Sequence, residues 1–154
     1  MAFKYSQAYE KESKARAIGI ALPISFKKSV EVCNMIRGMD LDKGVAVLEN
    51  VIKEKSAVPF KRFAKGGTGH KKGIGPGRYP VKTCIEILKI LNSARANAEQ
   101  KGLSNLVIKN IVTQQAPKAW HYGRLGRREQ KRAHVEVLLD SKKHVKKEKS
   151  EVKK

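Results

Sequence analysis

The strongest constraint on this chain is its charge. Its 154 residues include 34 Lys and Arg against 14 Asp and Glu, which gives a net charge of +20. A compact domain with that charge repels itself, so a polyanion is expected to neutralise it in place. Nucleic acid is the commonest polyanion that binds such a protein. The charge therefore predicts a nucleic-acid partner before any motif is considered.

Other environments fit the sequence less well. An anionic membrane would also attract the charge, but the sequence contains neither a basic amphipathic helix with a continuous aromatic face nor an apolar run of about 18 residues. The first residues lack an apolar signal core. Cys33 and Cys84 lie in apolar helical patterns, which favours small buried residues over a disulfide or a metal site. We therefore expect a soluble intracellular protein of one domain, with no membrane partner.

The spacing of apolar residues predicts the order of helices and strands. Alternation over residues 16–22 indicates a strand, and helical spacing predicts helices near residues 25–38, 40–55 and 80–100. Ile85, Ile87, Leu91 and Ala94 are expected on the apolar side of the third helix. Residues 106–114 and 135–139 alternate again, the first with a twist or bulge. Residues 1–14 are expected to be an extended arm and residues 141–154 a basic disordered tail.

The first two predicted helices leave a DNA-binding alternative open. They are joined by a turn at Gly38, and two helices so joined can form a DNA-reading helix-turn-helix. A helix that reads a groove should be basic, whereas this second helix carries Asp42, Glu49 and Glu54. A DNA-binding or chromatin-associated protein is therefore the weaker interpretation.

Residues 57–80 form a basic, glycine-rich segment without a single acidic residue. Such a long loop is usually functional or flexible. Its glycines could let backbone N–H groups approach an anion, but their spacing fits neither the P-loop nor the dinucleotide-binding pattern. We expect the loop to follow an RNA backbone. Its candidate RNA-binding residues are Lys61, Arg62, Lys65, His70, Lys71, Lys72 and Arg78.

Residues 105–139 are predicted to form an extended β-hairpin with a basic tip. A strand of about 13 residues at ~3.3 Å each reaches roughly 40 Å, longer than a small domain needs. Planar side chains between arginines suit RNA, whose bases can stack while Arg binds phosphates. A solvated charged turn explains an exposed Trp120 and Tyr122 poorly. The candidate RNA-binding residues here are Lys118, Trp120, His121, Tyr122, Arg124, Arg127, Arg128, Lys131 and Arg132.

Catalytic chemistry finds little support in the sequence. The histidines are not at metal-ligand spacing from one another. Acidic residues are sparse and lie mostly on polar helix faces. The sequence shows no Ser/His/Asp or Cys/His arrangement that would pair a nucleophile with a base. We expect no catalytic residue, metal, cofactor or small-molecule substrate, and an enzyme that acts on RNA is a second, weaker alternative.

Several stretches in the same order also carry a family likeness. They are Ile36-Arg37-Gly38-Met39, Val58-Pro59-Phe60-Lys61-Arg62-Phe63, Gly77-Arg78-Tyr79-Pro80, Asn92-Ser93-Ala94-Arg95-Ala96-Asn97-Ala98-Glu99, Ala116-Pro117-Lys118, Tyr122-Gly123-Arg124-Leu125-Gly126-Arg127 and His134-Val135-Glu136-Val137. Together they resemble the universal large-subunit ribosomal protein twenty-two family in its eukaryotic and archaeal form, called protein seventeen in eukaryotes. The resemblance covers about residues 15–140.

The resemblance implies an α+β fold, with three helices packed on a small antiparallel sheet and a long protruding β-hairpin. It implies a structural, non-enzymatic constituent of the large subunit of the cytosolic ribosome, in the cytoplasm. Its single domain would span residues 15–140, and its partners would be large-subunit rRNA and neighbouring ribosomal proteins.

The resemblance also assigns a role to the hairpin, which would line the polypeptide exit tunnel and meet the nascent polypeptide. It puts the tip at Arg124, Leu125, Gly126 and Arg127. The two arginines would bind rRNA phosphates and the glycine would permit a tight turn. The hairpin departs from the family by being a few residues shorter, with Trp120 and His121 in place of a basic run.

Overall fold

Helices and antiparallel strands alternate along the chain. The computed structural model describes residues 5–7, 9–10, 12–64 and 67–142. Its elements are β1 (Lys14–Leu22), α1 (Phe26–Ile36), α2 (Leu41–Ile52), β2 (Val58–Pro59), β3 (His70–Lys71), β4 (Gly75–Arg78), α3 (Val81–Glu99), β5 (Leu106–Gln115), β6 (Ala119–Gly123), β7 (Gly126–Gln130) and β8 (Ala133–Ser141). The predicted α+β class is confirmed. Lys65 and all but the first two residues of the predicted tail lie outside the described residues.

The core is built on a three-stranded antiparallel sheet in the order β1–β8–β5. Val137 of the central strand pairs with Ala17 on one side and Ile111 on the other. All three are buried on one face of the sheet, because residues directly opposite each other on neighbouring strands point to the same face. The register of β5 shifts between Ile108 and Asn110, which confirms the predicted bulge.

The longest helix, α3, covers this sheet. It packs on β1 and α2, while α1 packs on β5. Its buried face includes Ile87, Leu91 and Ala94, as the spacing predicts. Ile85 was expected beside them but is 38% exposed. A helix turns by about 100° per residue, so a residue two positions from Ile87 points away from the sheet.

The basic segment at residues 57–80, predicted as a loop, contains three short strands. They form a second antiparallel sheet in the order β2–β4–β3. Val58 pairs with Arg78 and His70 with Pro76. At Gly77 a Cβ would lie 3.0 Å from the Lys71 side chain and 3.3 Å from that of Ala57, so glycine lets the strands approach. The pairing joins residues far apart in sequence and leaves no local periodicity.

A two-stranded ribbon extends the core sheet. Beyond the Gln115–Ala133 pair of β5 and β8, β6 pairs with β7 from Ala119–Gln130 to Gly123–Gly126. These five pairs lengthen the hairpin by about 17 Å at about 3.4 Å per residue. Residues 117–129 are exposed, apart from a half-buried position 121. The long protruding hairpin is therefore confirmed.

The described residues of the N-terminal arm lie against the other face of the core sheet, where Tyr5, Gln7 and Tyr9 are near Val112 and Leu138. Ser6 donates from its backbone N–H and its hydroxyl to Glu136 Oε2, at 3.0 and 2.6 Å. The guanidinium of Arg16 lies 4.0 Å from the Tyr5 ring centre and 4.1 Å from that of Tyr9. The arm is thus held by polar and cation–π contacts.

Across the described part of the chain, no helix has the length and apolarity to span a membrane.

Candidate nucleic-acid interface

A buried carboxylate fixes the start of the basic segment. Glu31 of α1 is 2% exposed, and its Oε1 accepts hydrogen bonds from the backbone N–H groups of Arg62 at 2.8 Å and Phe63 at 2.7 Å. Its Oε2 accepts a longer one, 3.3 Å, from the N–H of Lys61. The side chains of Lys61 and Arg62 remain exposed. An acid in α1 therefore holds the backbone of a basic segment and leaves its cations available.

The other candidates in this segment differ in their surroundings. Arg78 is half-buried, with its guanidinium 5.5 Å from the Phe60 ring centre and donating to Thr68 Oγ1 at 2.8 Å. Lys71 is also half-buried, with its Nζ 5.3 Å from the ring centre of Tyr79. His70 and Lys72 are exposed. The segment thus presents some fixed cations and others that are free to turn.

A basic cleft of about 550 Å³ lies between α1 and this segment. Its lining brings residues of three parts of the sequence together: Ser25, Lys27, Lys28, Phe60, Arg62, Phe63, Arg78 and Lys131. A second cavity of about 230 Å³ shares three of these residues and adds Phe26, Gln115, Lys118 and Arg132 from α1 and the hairpin base. The structure therefore joins candidates from the segment and from the hairpin in one basic surface.

Two cations of this cleft were missed by sequence reasoning. Lys27 and Lys28 lie in the first turn of α1 and are exposed. Helical spacing marks them only as part of a polar face. The fold places these two lysines in the same cleft as Arg62 and Lys131.

The hairpin ribbon carries the second group of candidates. Trp120 is 60% exposed, Tyr122 84% and Leu125 100%. Tyr122 pairs with Arg127 across the ribbon. The rings of His121 and Tyr122 stack, with centres 4.3 Å apart. Aromatic faces and guanidinium groups thus lie side by side on the ribbon, an arrangement that suits RNA.

The basic candidates at the hairpin differ in the groups that they contact. Lys118 forms an ion pair with Glu129 across the ribbon, which offsets part of its charge. Arg132 donates to the backbone carbonyl of Ala21 at 3.1 Å. The exposed positions of Arg124, Arg127 and Arg128 are the ones that reach furthest along the ribbon.

The described residues provide neither a reactive thiol nor a cluster of metal ligands. Burial raises the pKa of Cys33 to about 11, against the opposing effects of a hydrogen bond with Thr113 and the charge of Arg37. Burial, with a smaller effect of Cys33, raises the pKa of Cys84 to about 12. Both thiols stay protonated at neutral pH and are poor nucleophiles. Within the described ranges, no three His, Cys, Asp or Glu side chains gather as a metal site would need.

The geometry also bears on the DNA-reading alternative. Asp42 and Glu49 are exposed on α2, and Asp42 forms an ion pair with Arg95 of α3. A helix with exposed carboxylates repels a phosphate backbone. In the described structure, the exposed carboxylates of α2 therefore do not suit a helix that reads a DNA groove.

Fold and surface together define a class: a small basic α+β protein with a cationic cleft and a protruding aromatic and arginine-rich hairpin. Residues 17–140 match the model of the family described as ribosomal protein L22p/L17e. This chain therefore belongs to the ribosomal protein L22p/L17e family, as the sequence resemblance predicts.

Individual relatives agree with the family match. The chain is 42% identical to large ribosomal subunit protein uL22 of Methanocaldococcus jannaschii, over 89% of this chain and 94% of the relative. It is 38% identical to the protein of the same name from Archaeoglobus fulgidus, over 88% and 94%. With that of Picrophilus torridus the identity is 45%, over 75% and 80%. The similarity thus spans 80–94% of the length of these relatives.

Proposed function

We propose that this chain is a structural constituent of the large ribosomal subunit, where it binds and stabilises rRNA. Relatives that match most of its length are named as large-subunit proteins. The observation that carries the proposal is the exposed ribbon at residues 117–129, where His121 and Tyr122 pair across the strands with Arg128 and Arg127, away from the core. The activity is charge neutralisation and shape recognition rather than turnover.

Two kinds of contact contribute to binding. Exposed cations such as Lys61, Lys72 and Arg128 bind phosphates and fix the position of the protein on RNA. Trp120 and Tyr122 offer faces on which unpaired bases stack. Half-buried Arg78, stacked on Phe60, is already oriented and loses little freedom when it binds a phosphate.

The hairpin tip has a second role in this proposal. It lines the polypeptide exit tunnel, with Arg124 and Arg127 on rRNA phosphates and the nascent polypeptide passing Leu125. Leu125 is completely exposed at the turn, so its side chain is accessible to a polypeptide that passes the tip. Gly126 has φ of +120°, a conformation that favours glycine and suits the tight turn. Neighbouring ribosomal proteins would contact the globular part.

Sedimentation tests the ribosomal role. A lysate is run through a salt-containing sucrose gradient, and the protein is followed by mass spectrometry. We expect co-migration with the large subunit, in roughly equal stoichiometry to its rRNA after a moderate salt wash. Migration with free protein or with chromatin would overturn the proposal and favour the DNA-binding alternative.

The tunnel role has its own test. A photo-crosslinking amino acid replaces Leu125, and ribosomes that carry the variant are stalled with a labelled nascent chain in the tunnel. We expect light-dependent crosslinks to the nascent chain. The same amino acid at exposed position Lys53 of the globular part serves as the control. Crosslinks from Lys53 but none from Leu125 would contradict the tunnel role.

A further inference from the structure

An extra residue interrupts strand β1 beside the base of the hairpin. The strand pairs with β8 at Gly19 and again at Leu22, but the facing residues of β8 are only two positions apart. Ile20 and Ala21 therefore stand opposite one residue, His134. Ala21 has φ of +50°, which is uncommon for a residue with a side chain. Such a β-bulge bends the strand and increases its twist.

The bulge also reverses the direction in which the end of β1 points. In a regular strand, residues three positions apart face opposite sides of the sheet. Here a Cβ placed on Gly19 would lie 2.8 Å from Leu22 Cδ1 and 2.6 Å from Cδ1 of Ile90 in α3. The side chain of Leu22 thus lies on the side that Gly19 faces, beside the helix. Pairing with β8 resumes there, so the bulge is built into the sheet and is not a frayed end.

Both backbone groups of Ala21 are bound by side chains from the place where β8 begins. Its N–H donates to Nδ1 of His134 at 3.1 Å, and its carbonyl accepts from Nη1 of Arg132 at 3.1 Å. The extra residue of a bulge has no ladder partner of its own, and these two side chains take that place. They flank Ala133, which pairs with Leu22. The bulge is therefore held from both sides of the pair that closes β1.

A second irregularity lies on the other side of the same segment. The ladder of β5 and β8 ends at the pair Gln115–Ala133, and the ribbon ladder begins four positions later on one strand but three positions earlier on the other. Between the two ladders, the N–H of Ala116 donates to the carbonyl of Arg132 at 3.2 Å. Arg132 therefore contacts β1 through its side chain and the outgoing strand through its backbone, at a point where the extra residue bends the hairpin.

The contacts of Ala21 connect the base of the hairpin to the packed core. The chain after Ala21 is fixed, because the N–H of Ile24 donates to the carbonyl of Leu22 at 2.8 Å and Ile24 is 2% exposed. Arg132, by contrast, lies only two positions after Gln130, which forms the first pair of the ribbon. A force on the ribbon therefore reaches the core through these hydrogen bonds.

We propose that Ala21, Arg132 and His134 form a clamp that sets the direction in which the hairpin leaves the globular part. Arg132 and His134 are positioning residues, since in this role they act through the bulge and not on a ligand. The proposal rests on the function proposed above, in which the tip occupies a fixed place. Over a ribbon of about 17 Å, a tilt of about 10° moves the tip by about 3 Å, enough to break its contacts.

The test measures the direction of the ribbon in the full-length protein from NMR residual dipolar couplings of backbone amides. His134→Asn keeps an acceptor as many bonds from the backbone as Nδ1, whereas His134→Leu removes it. Arg132→Lys keeps a donor, whereas Arg132→Met removes it. The matched control is Lys131→Met, which removes the same charge from the neighbouring, exposed position. Couplings in the core sheet show whether each variant is folded.

We expect His134→Leu and Arg132→Met to alter the couplings of β6 and β7 while those of β5 stay the same. Amide exchange of Ala21 should become about tenfold faster in His134→Leu, as expected when one hydrogen bond is lost. The Asn, Lys and control variants should keep the original couplings in the ribbon.

Unchanged ribbon couplings in both His134→Leu and Arg132→Met would overturn the clamp, as would ribbon couplings averaged to zero in the unaltered protein. The ribosomal role is decided separately by the sedimentation experiment. If the unaltered protein failed to migrate with the large subunit, that role would be overturned, while the couplings would still decide on the clamp.

Discussion

The Oε1 atom of Glu31 accepts a hydrogen bond from the backbone N–H of Phe63 at 2.7 Å. The same carboxylate binds the N–H groups of Lys61 and Arg62. One acidic side chain in α1 therefore orders three consecutive residues that are 30 to 32 positions further along the chain. Because Arg62 and Phe63 line the basic cleft, the contact links the packing of α1 to the shape of that cleft.

Removal of this carboxylate should loosen the basic segment. We expect Glu31→Ala to lower the free energy of unfolding by about 1.5–3 kcal/mol, the usual contribution of hydrogen bonds to a charged group. Glu31→Gln should cost less, because the amide oxygen can still accept from Arg62 and Phe63. Urea denaturation followed by circular dichroism measures both.

A matched control is Glu49→Ala, which removes an exposed carboxylate from α2. It should change stability by no more than about 0.5 kcal/mol, as surface substitutions usually do. If Glu31→Ala and Glu49→Ala had the same effect, the carboxylate would not be what holds the segment in place.

The helices and the core sheet could be predicted because their signals are local. Ile87, Leu91 and Ala94 recur at helical spacing and face the sheet, and alternation in β5 indicated both the strand and its bulge. Ile85 shows where a local signal fails. The apolar side predicted for α3 is wider than the face that packing buries, because Ile87, Leu91 and Ala94 are buried while Ile85 is 38% exposed.

The basic cleft could be predicted only in part. The run of cations without acids around Arg62 and Arg78 was visible in the sequence, as was the cluster near Lys131. Their meeting with Lys27 and Lys28 depends on tertiary contacts between α1, the second sheet and the hairpin base. A contact between residues 30 or more positions apart leaves no periodic trace, so the site appears only when the chain is folded.

Gly126 should control the order of the hairpin tip. Its φ of +120° is strained for any other residue, while a Cβ there would meet no described atom within 4 Å. We expect Gly126→Ala to cost about 1–3 kcal/mol of local stability through the backbone alone. Amide hydrogen exchange should become faster in β6 and β7 but not in β8.

The control for this substitution is Gly69→Ala, at a glycine outside the positive-φ region with equally open surroundings. It should leave exchange in the ribbon unchanged. Unaltered exchange at Tyr122 and Arg127 in the Gly126→Ala protein would show that the turn tolerates a side chain, contrary to this account.

Trp120 should report RNA binding directly. It is the only tryptophan in the chain and is 60% exposed, so its emission should be that of an indole in water. Stacking on a base should quench this fluorescence when rRNA is added. We expect Trp120→Ala to weaken binding by about 1–3 kcal/mol, the usual value of one stacked base.

The control for Trp120→Ala is Ile85→Ala, which also shortens an exposed apolar side chain but lies on α3. It should leave the affinity unchanged. Undiminished emission from Trp120 at saturating rRNA, with no loss of affinity in Trp120→Ala, would remove the indole from the interface.

The buried thiols should make the protein less stable in alkali. Burial is the main cause that raises the pKa of Cys33 from 9.0 to about 11 and that of Cys84 to about 12. Above about pH 9 the unfolded chain releases these protons while the folded chain keeps them, so the free energy of unfolding falls as pH rises, and the stability is fully present below pH 9. The loss is about 1.4 kcal/mol per pH unit for each thiol. Urea denaturation between pH 8 and 10.5 should give a shallower decline for Cys33→Ala with Cys84→Ala than for the unaltered protein, since lysine titration is common to both. Parallel declines would mean that the two thiols ionise equally easily in the folded and unfolded chains.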